Sequence, residues 1–218
     1  MASTPRQPDM AASLAALRRD KKMAALIRRY GPPDLTKYHA NSRSLFEALL
    51  RSIVYQQVSG HAARAIHSRV LALFPKGKPT PEKLLKLRAP TLRKAGLSLA
   101  KVRYVRDLAK KCLDGTISEK DFKRMSSQEI IEHLVQVDGI GEWTAHMMLI
   151  FKLYRLDILP VGDLAIRKGF QKVYRLAAMP NRAEMERIAA TWRSHATVAA
   201  WYLWRVIDDE KKSLPVVS

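Results

Sequence analysis

Apolar side chains recur at helical spacing through nearly the whole chain, and no stretch alternates apolar and polar residues over the length of a strand. A helix that buries one face repeats its apolar residues every three to four positions, whereas a half-buried strand repeats them every second position. No internal repeat or low-complexity segment interrupts the pattern. The sequence therefore predicts an all-α fold of about ten short helices, packed as two lobes with a cleft between them.

Helix boundaries are marked by residues with capping chemistry. Thr80 before Pro81 is typical of a helix start. Ser126 with Glu129 fits a capping box, and Ser98 is placed to cap a long basic helix. The predicted helices are 14–30 (ended by the stop at Gly31–Pro32–Pro33), 44–58, 62–74, 82–87, 98–113, 130–135, 142–154, 163–175, 182–192 and 196–210.

The length of 218 residues suits one or two small domains. We expect residues 1–12 to be a loose tail and residues 13–218 to form a single bilobal domain that acts as a monomer. No apolar run approaches the ~20 residues needed to span a bilayer, and the first residues lack the apolar stretch of a secretory signal. The expected location is intracellular, in a bacterial cytoplasm or nucleoid or in a eukaryotic nucleus.

The charge balance points to a polyanionic partner. Lysine and arginine together number 39 against 20 acidic residues, which gives a formal net charge of +19. Such an excess favours binding to nucleic acid. A membrane surface is a weaker candidate, because no predicted helix combines a clean basic face with a large aromatic face. On charge alone, a merely soluble basic protein remains an alternative.

The stretch Val137–Ala145, which reads VDGIGEWTA, joins two amphipathic helices through glycines on either side of Ile140. Glycine takes positive φ readily and lets another backbone approach closely. The N–H groups of such a turn and of the next helix start can bind phosphate without reading base sequence. We therefore predict that Gly139, Gly141 and Thr144 contact DNA, with an ordinary helix–turn–helix corner as the alternative.

The helix that follows Ser98 has a basic side, formed by Lys101, Arg103, Arg106 and Lys110. If this side touches DNA, it adds affinity that depends on salt and not on base sequence. A solvated helix face is an equal alternative. Lys101 is the residue of this face that we predict to bind DNA.

Asp163 follows Pro160 and Gly162 and stands just before an apolar-periodic helix. Its simplest role is that of an N-cap, which accepts a hydrogen bond from a backbone N–H two or three residues on. That role is compatible with catalysis, because a carboxylate at a helix N-terminus can stabilise an oxocarbenium-like sugar. One helix and a turn separate Asp163 from Trp143, so it could face the same cleft as the hairpin.

Together these residues resemble the helix-hairpin-helix–GPD superfamily of DNA glycosylases, which is named for a hairpin, a Gly/Pro-rich loop and an aspartate. Here those are Val137–Gly141, Pro160–Gly162 and Asp163. The chain is most similar to the alkylpurine (3-methyladenine) DNA glycosylases of bacteria and yeasts, over residues 12–207. Three further segments carry this similarity: IVYQQVS at 53–59, GLS at 96–98 with Lys101 and Tyr104, and AAWYLWR at 199–205.

The resemblance implies a role for each matched position. It makes Asp163 the catalytic carboxylate and places Trp143 and His195 in the pocket for the damaged base. Gln57 matches the plug that fills the gap left by the flipped nucleotide, and Ser59 matches a neighbour that meets the minor groove. Backbone carbonyls at the hairpin match the ligands of a monovalent cation, Na⁺ or K⁺; they are those of Val135, Val137 and Ile140.

Two absences imply a monofunctional enzyme without a catalytic cofactor. Bifunctional relatives carry a nucleophilic lysine where this chain has Trp143, so Schiff-base chemistry loses its nucleophile. Relatives with an iron–sulfur cluster use four cysteines, whereas Cys112 is the only cysteine here. The single cysteine also excludes an intramolecular disulfide and a four-cysteine zinc site.

Two positions depart from the family pattern. Asp138 stands where the hairpin usually has proline, and an acid beside phosphates would weaken binding slightly. His195 stands where an aromatic pocket residue is usual, so a surface position for His195 is an equal alternative. These departures leave the range of lesions open and do not change the expected reaction.

The expected reaction is hydrolytic removal of an alkylated purine from duplex DNA, which leaves an abasic site in base excision repair. Such a base is cationic and therefore a good leaving group, and the damaged nucleotide rotates out of the stack before it is cut. The alternatives are a non-catalytic DNA-binding scaffold that keeps the hairpin, and a glycosylase for deaminated or oxidised bases. The retained Asp163 argues against the scaffold.

Overall fold

A computed structural model of the chain describes residues 10–35 and 44–213, with side chains as far as Glu210. These ranges contain α-helices and short 3₁₀ turns and no strand, so the all-α prediction is confirmed. Most of the predicted tail lies outside the described residues, but the first helix already begins at Ala11, inside the range predicted to be loose. No helix in the described ranges is both long enough and apolar enough to cross a membrane.

Twelve α-helices run through the described residues. In chain order they are α1 Ala11–Leu17, α2 Lys21–Tyr30, α3 Leu45–Tyr55, α4 Gly60–Ala72, α5 Pro81–Lys86, α6 Ala89–Lys94, α7 Leu99–Leu113, α8 Ser127–Leu134, α9 Glu142–Phe151, α10 Leu164–Tyr174, α11 Arg182–Ala189 and α12 Ala196–Ser213. The sequence predicts about ten because it joins α1 and α2 and misses the short α6.

The division between α1 and α2 has a local cause. The side chain of Asp20 accepts hydrogen bonds from the backbone N–H groups of Lys22 and Met23, at 2.7 and 3.2 Å. These N–H groups would otherwise need partners in the preceding turn, so the cap starts a new helix. The apolar pattern continues across the break, which is why periodicity alone predicts one helix. The prediction of a continuous helix is therefore wrong.

The described chain divides into two compact units, residues 44–148 and residues 10–35 with 149–213. In the first unit, α3 packs against α4 and α7, and α5 packs against α7. The predicted caps Thr80, Ser98 and Ser126 all accept hydrogen bonds from the helices that follow them. They fix the starts of α5, of α7 and of α8, the helix that leads into the hairpin.

In the second unit, α10 packs along α12, and α12 also contacts α2. Gly169 permits the close approach of α10 and α12, because a Cβ there would lie 2.9 Å from the Cβ of Leu203 and 3.1 Å from its carbonyl oxygen. Phe170, Trp192 and Tyr202 fill the core beside this contact. The packing holds α10, and with it the residue that caps it, at short range from α12.

Candidate functional site

The hairpin between α8 and α9 packs against α7 at a point that only glycine allows. Gly139 has a φ of +81°, and a Cβ there would come within 2.3 Å of Tyr104 Cδ2. The turn is closed by the N–H of Ile140, which donates to the carbonyl of Val137 at 2.9 Å. The first glycine of the motif therefore serves close packing between the hairpin and α7.

The second glycine, Gly141, instead leaves the start of α9 accessible. The carbonyl of Gly141 accepts the N–H of Ala145 at 3.0 Å, so Gly141 stands at the start of α9. A Cβ at Gly141 would meet no atom within 4 Å, which leaves this helix start approachable. The first N–H groups of a helix have no partner within it and suit an anion. Sequence reasoning treats both glycines alike, and the structure separates their roles.

A surface hollow of about 540 Å³ adjoins the hairpin, and both glycines line it. The rest of its lining comes from α3, the loop after it, α7 and α9: Tyr55, Gln56, Gln57, Ser98, Ala100, Lys101, Tyr104, Trp143 and Thr144. Trp143 is 52% exposed, which suits stacking on a base, whereas Thr144 is 6% exposed. Because the Thr144 side chain is buried, its predicted DNA contact falls to its backbone N–H.

The loop after α3 places Gln57 at the surface in an unusual conformation. α3 ends at Tyr55, short of the predicted end at Val58, because Gln56 leaves the helical conformation with a ψ of 135°. Gln57 then adopts a left-handed backbone with a φ of +53°. Residues other than glycine rarely take this conformation, and they keep it only when their surroundings impose it. Ser59 caps α4 by accepting the N–H of Ala62 at 3.3 Å. The predicted plug residue thus stands exposed at the tip of a constrained loop.

Two side chains impose this conformation. Lys101 Nζ donates to the carbonyl oxygens of Val54 and Gln56, both at 2.7 Å. Gln56 Nε2 donates in turn to the carbonyl of Gly139 at 2.8 Å, which ties the loop to the hairpin. The ammonium group neutralises the negative end of α3, although burial lowers the pKa of Lys101. The described role of Lys101 is to fix the loop, and its direct contact with DNA stays a prediction.

The hairpin is also tied to α7 through Asp138. The N–H of Asp138 donates to Asp107 Oδ2 at 2.8 Å, and Lys111 Nζ holds both oxygens of Asp107 at 2.7 and 2.8 Å. Burial raises the pKa of Asp107, but the hydrogen bonds from Lys111 and Asp138 outweigh it and leave the pKa low. Arg103 Nε lies 3.2 Å from Asp138 Oδ2. A proline at this position has no N–H to donate, so the departure from the family pattern adds an anchor.

In the second unit, Asp163 caps α10 as the sequence predicts. Its Oδ1 accepts the backbone N–H of Ile166 at 2.9 Å. The same oxygen accepts the indole N–H of Trp204 on α12 at 3.3 Å. Trp204 stacks on Phe151, with ring centroids 5.7 Å apart and 27° between the rings. Sequence reasoning places Trp204 in a family segment but assigns it no role.

His195 stands at the end of a short 3₁₀ turn that runs into α12. Its Nδ1 lies 3.0 Å from Oγ of Ser13, a buried residue of α1. The ring is half-buried. Because of the contact with Ser13, one of its two nitrogens already has a partner within the second unit. A pocket role for His195 stays a prediction.

Comparison with known proteins and the geometry of the site point to the same family of proteins. A sequence model of the HhH-GPD superfamily of base excision DNA repair proteins matches residues 50–194. DNA-3-methyladenine glycosylase 1 of Schizosaccharomyces pombe is 33% identical, over 85% of this chain and 80% of its own.

Solved structures agree. The 3-methyladenine DNA glycosylase of S. pombe, in complex with abasic DNA, matches with a TM-score of 0.75 and 31% identity. The match covers 91% of this chain and 97% of that chain. DNA-3-methyladenine glycosidase of Bacillus halodurans matches with a TM-score of 0.80 and 28% identity, over 93% of this chain and 92% of its own.

Proposed function

The chain belongs to the HhH-GPD superfamily of base excision DNA repair proteins, and we propose that it is a monofunctional DNA glycosylase for alkylated purines of the 3-methyladenine and 7-methylguanine type. One observation carries this proposal. A chain 33% identical to a DNA-3-methyladenine glycosylase, over 85% of its length, keeps both an open glycine hairpin and a fixed aspartate at the start of α10.

The partner is duplex DNA that contains a damaged base, bound by one copy of the protein. The N–H groups around Gly141 can hold a phosphate, and the charge of +19 adds affinity for the backbone. Gln57 and Ser59 are both exposed on the constrained loop, as residues that enter a distorted duplex must be, and the Ser59 hydroxyl also caps α4. A protein that acts in base excision repair works in the cell compartment that contains the DNA.

The base pocket and the aspartate have separate tasks. A flipped alkylpurine carries positive charge, and the exposed indole of Trp143 offers it a π face. Asp163 supplies negative charge to the oxocarbenium-like sugar as the base departs. Water then completes the hydrolysis and leaves a free base and an abasic site.

Strand cleavage by an amine is not part of this mechanism. The position of the family's lyase lysine is Trp143. The one lysine that lines the hollow in the described chain is Lys101, and its Nζ already donates to two carbonyl oxygens at 2.7 Å. An ammonium group in that state is a poor nucleophile.

We propose that the hairpin carbonyls hold a structural Na⁺ or K⁺ and that the reaction uses no catalytic cofactor. Val135 stands at the end of α8, where helix carbonyls lack partners within the helix. The Val137 carbonyl accepts one hydrogen bond, from Ile140, and keeps a second lone pair. With the Ile140 carbonyl, these would hold the cation next to the phosphate-binding N–H groups, and the cation would add positive charge there.

The deciding experiment is a panel of duplexes that each contain one damaged base, incubated with the protein and then treated with hot alkali. We expect alkali-dependent cleavage at methylated purines, no cleavage without alkali, and no covalent adduct after borohydride. Release of uracil, hypoxanthine or 8-oxoguanine alone would favour the glycosylase for deaminated or oxidised bases. Tight lesion binding without any base release would favour the scaffold.

A further inference from the structure

We propose that Arg103 binds a backbone phosphate of DNA beside the hairpin, and that Asp138 holds the arginine there until the phosphate replaces it. This inference rests on the proposed function, in which the partner is duplex DNA. The hairpin offers backbone N–H groups to DNA, and Arg103 adds a charged side chain next to them. Asp138 stands where the family usually has proline, so this contact is specific to the present chain.

The four basic residues on one side of α7 are in two different states. Lys101 and Arg106 serve the fold, because Lys101 Nζ donates to two carbonyls at the end of α3 and Arg106 Nη1 donates to a backbone carbonyl at 2.8 Å. Arg103 and Lys110 are exposed instead. Arg103 reaches the hairpin, since its Nε lies 3.2 Å from Asp138 Oδ2.

The guanidinium of Arg103 lies close to the expected phosphate site. Its Cζ is 5.3 Å from the centroid of the Tyr104 ring. The hairpin packs on the same ring, because a Cβ at Gly139 would come within 2.3 Å of it. Asp138 precedes Gly141 by three residues, so their Cα atoms lie at most about 11 Å apart. Phosphates of one strand recur every ~3.4 Å along the duplex axis, so the Gly141 N–H groups and Arg103 can meet the same strand.

The ion pair between Arg103 and Asp138 is of the kind that a phosphate can replace. The two side chains are 68% and 51% exposed. Exposed pairs contribute little to stability, and salt screens them. A guanidinium can donate two parallel N–H groups to a phosphate, and binding also releases the cations condensed on DNA. The carboxylate offers no such release, so the exchange favours the DNA-bound state.

Asp138 keeps a second task when its carboxylate is displaced. Its backbone N–H donates to Asp107 Oδ2 at 2.8 Å, and Lys111 Nζ binds both oxygens of Asp107. This contact does not involve the side chain of Asp138. The hairpin therefore stays tied to α7 while the carboxylate turns toward solvent. Asp138→Asn removes the charge and keeps the anchor, so it separates the two tasks.

The test measures affinity for a duplex with a tetrahydrofuran abasic analogue at several salt concentrations, with thermal melting of each variant. We expect Arg103→Gln to weaken binding ~5- to 10-fold and to reduce the slope of log affinity against log salt by about one unit, because one phosphate contact is lost. We expect Asp138→Asn to strengthen binding ~2- to 5-fold, because the phosphate no longer competes with a carboxylate. Arg106→Gln is the matched control on the same helix, and its slope should stay at the parental value.

Each other outcome decides against the inference. If Arg103→Gln keeps the parental slope while the parent binds in a salt-dependent way, the inference is overturned and the proposed function stands. If Asp138→Asn weakens binding as Arg103→Gln does, the ion pair is only a clamp on the hairpin. Equal slope changes in Arg103→Gln and Arg106→Gln would show a general effect of lost positive charge. If the affinity of the parent chain does not depend on salt, the DNA partner of the proposed function fails, and the inference fails with it.

Discussion

Two aspartates cap helices in the second unit, Asp20 at the start of α2 and Asp163 at the start of α10. Asp20 accepts two backbone N–H groups from its own helix and Asp163 accepts that of Ile166, and each also accepts an indole N–H at 3.3 Å from elsewhere. In the structure they are the same feature, an acidic residue that caps the helix it precedes, although Asp20 lies within an apolar pattern that predicts one continuous helix. Their surroundings nevertheless differ in a way that separates a structural carboxylate from a chemical one.

Asp20 joins three parts of the fold. Its Oδ1 accepts the N–H groups of Lys22 and Met23, and its Oδ2 accepts the hydroxyl of Tyr174 at 2.6 Å and the indole of Trp192. Donors thus reach both oxygens from α2, from α10 and from the turn before α12. The hydrogen bonds from Ile166 and Trp204 to Asp163 converge on Oδ1. The comparison shows that a capping position does not define the role of an aspartate. The elements that its hydrogen bonds link are more informative about that role.

The largest effect should come from the charge of Asp163. Asp163→Asn keeps the shape and a capping oxygen but removes the negative charge that favours the oxocarbenium ion. We expect a loss of ~3 kcal/mol in transition-state stabilisation, roughly a hundredfold or more in single-turnover rate. Melting temperature and lesion binding should stay near those of the parent. Asp20→Asn is the control, and it should excise at the parental rate wherever it is folded. If Asp163→Asn and Asp20→Asn lose activity equally, the distinction between a chemical and a structural aspartate is wrong.

The next effect should appear in stability, and in the opposite order. Asp20→Ala removes a cap and also leaves Tyr174 and Trp192 without their acceptor. Buried polar groups without partners are costly, so we expect a loss of ~2–4 kcal/mol in the free energy of unfolding. Asp163→Ala removes a cap and leaves one donor without this acceptor, the indole of the half-buried Trp204, so we expect a smaller loss of ~1–2 kcal/mol. Urea denaturation of both variants measures this difference, and a larger loss at Asp163 would contradict it.

The comparison shows how far sequence reasoning reaches. The capping position of Asp163 can be predicted from a local motif, because all the necessary residues lie within a few positions of each other. The same is true of the hairpin and of the caps at Thr80 and Ser126. Asp20 escapes notice because its partners Tyr174 and Trp192 are 154 and 172 residues away. Residue spacing carries no information about such contacts.

The same limit applies to the first unit, which contains the hairpin. Gln56 is missed because its partner, the Gly139 carbonyl, lies 83 residues further along the chain. Lys101 is predicted to bind DNA because it belongs to a basic helix side, but its ammonium group lies on two carbonyls at the end of α3. A charged side chain can thus be mistaken for a ligand contact when its protein partners are distant in sequence. Lys101 is in this respect the cationic counterpart of Asp20.

That parallel makes a prediction of intermediate size. Lys101→Met should free the loop that carries Gln57 and weaken binding to lesion DNA by about tenfold, through lost order and not through lost charge. The slope of log affinity against log salt should therefore stay at the parental value, because no phosphate contact is lost. Titrations at several salt concentrations measure both quantities. A slope reduced by about one unit would show that Lys101 meets a phosphate directly.

The smallest effect concerns the Tyr174 hydroxyl that binds Asp20. Burial raises the pKa of Tyr174, and the hydrogen bond to Asp20 and its negative charge raise it further. Unfolded tyrosine loses its proton near pH 10. Because the folded pKa is higher, this group contributes its stability fully below pH ~10, and the contribution declines as pH rises above that value.

Tyr174→Phe should therefore cost about 1 kcal/mol of unfolding free energy near pH 8, the usual value of a hydrogen bond. The difference from the parent should shrink between pH 10 and 11, because only the parent carries the titrating hydroxyl. Trp192→Phe removes a donor from the same oxygen of Asp20 but has no group that titrates, so its difference from the parent should not change over this range. Urea denaturation at each pH gives both differences. If the Tyr174→Phe difference stays constant while the parent loses stability, the hydroxyl does not bind Asp20 in the way the 2.6 Å contact indicates, and Asp20 loses one of the links that separate it from Asp163.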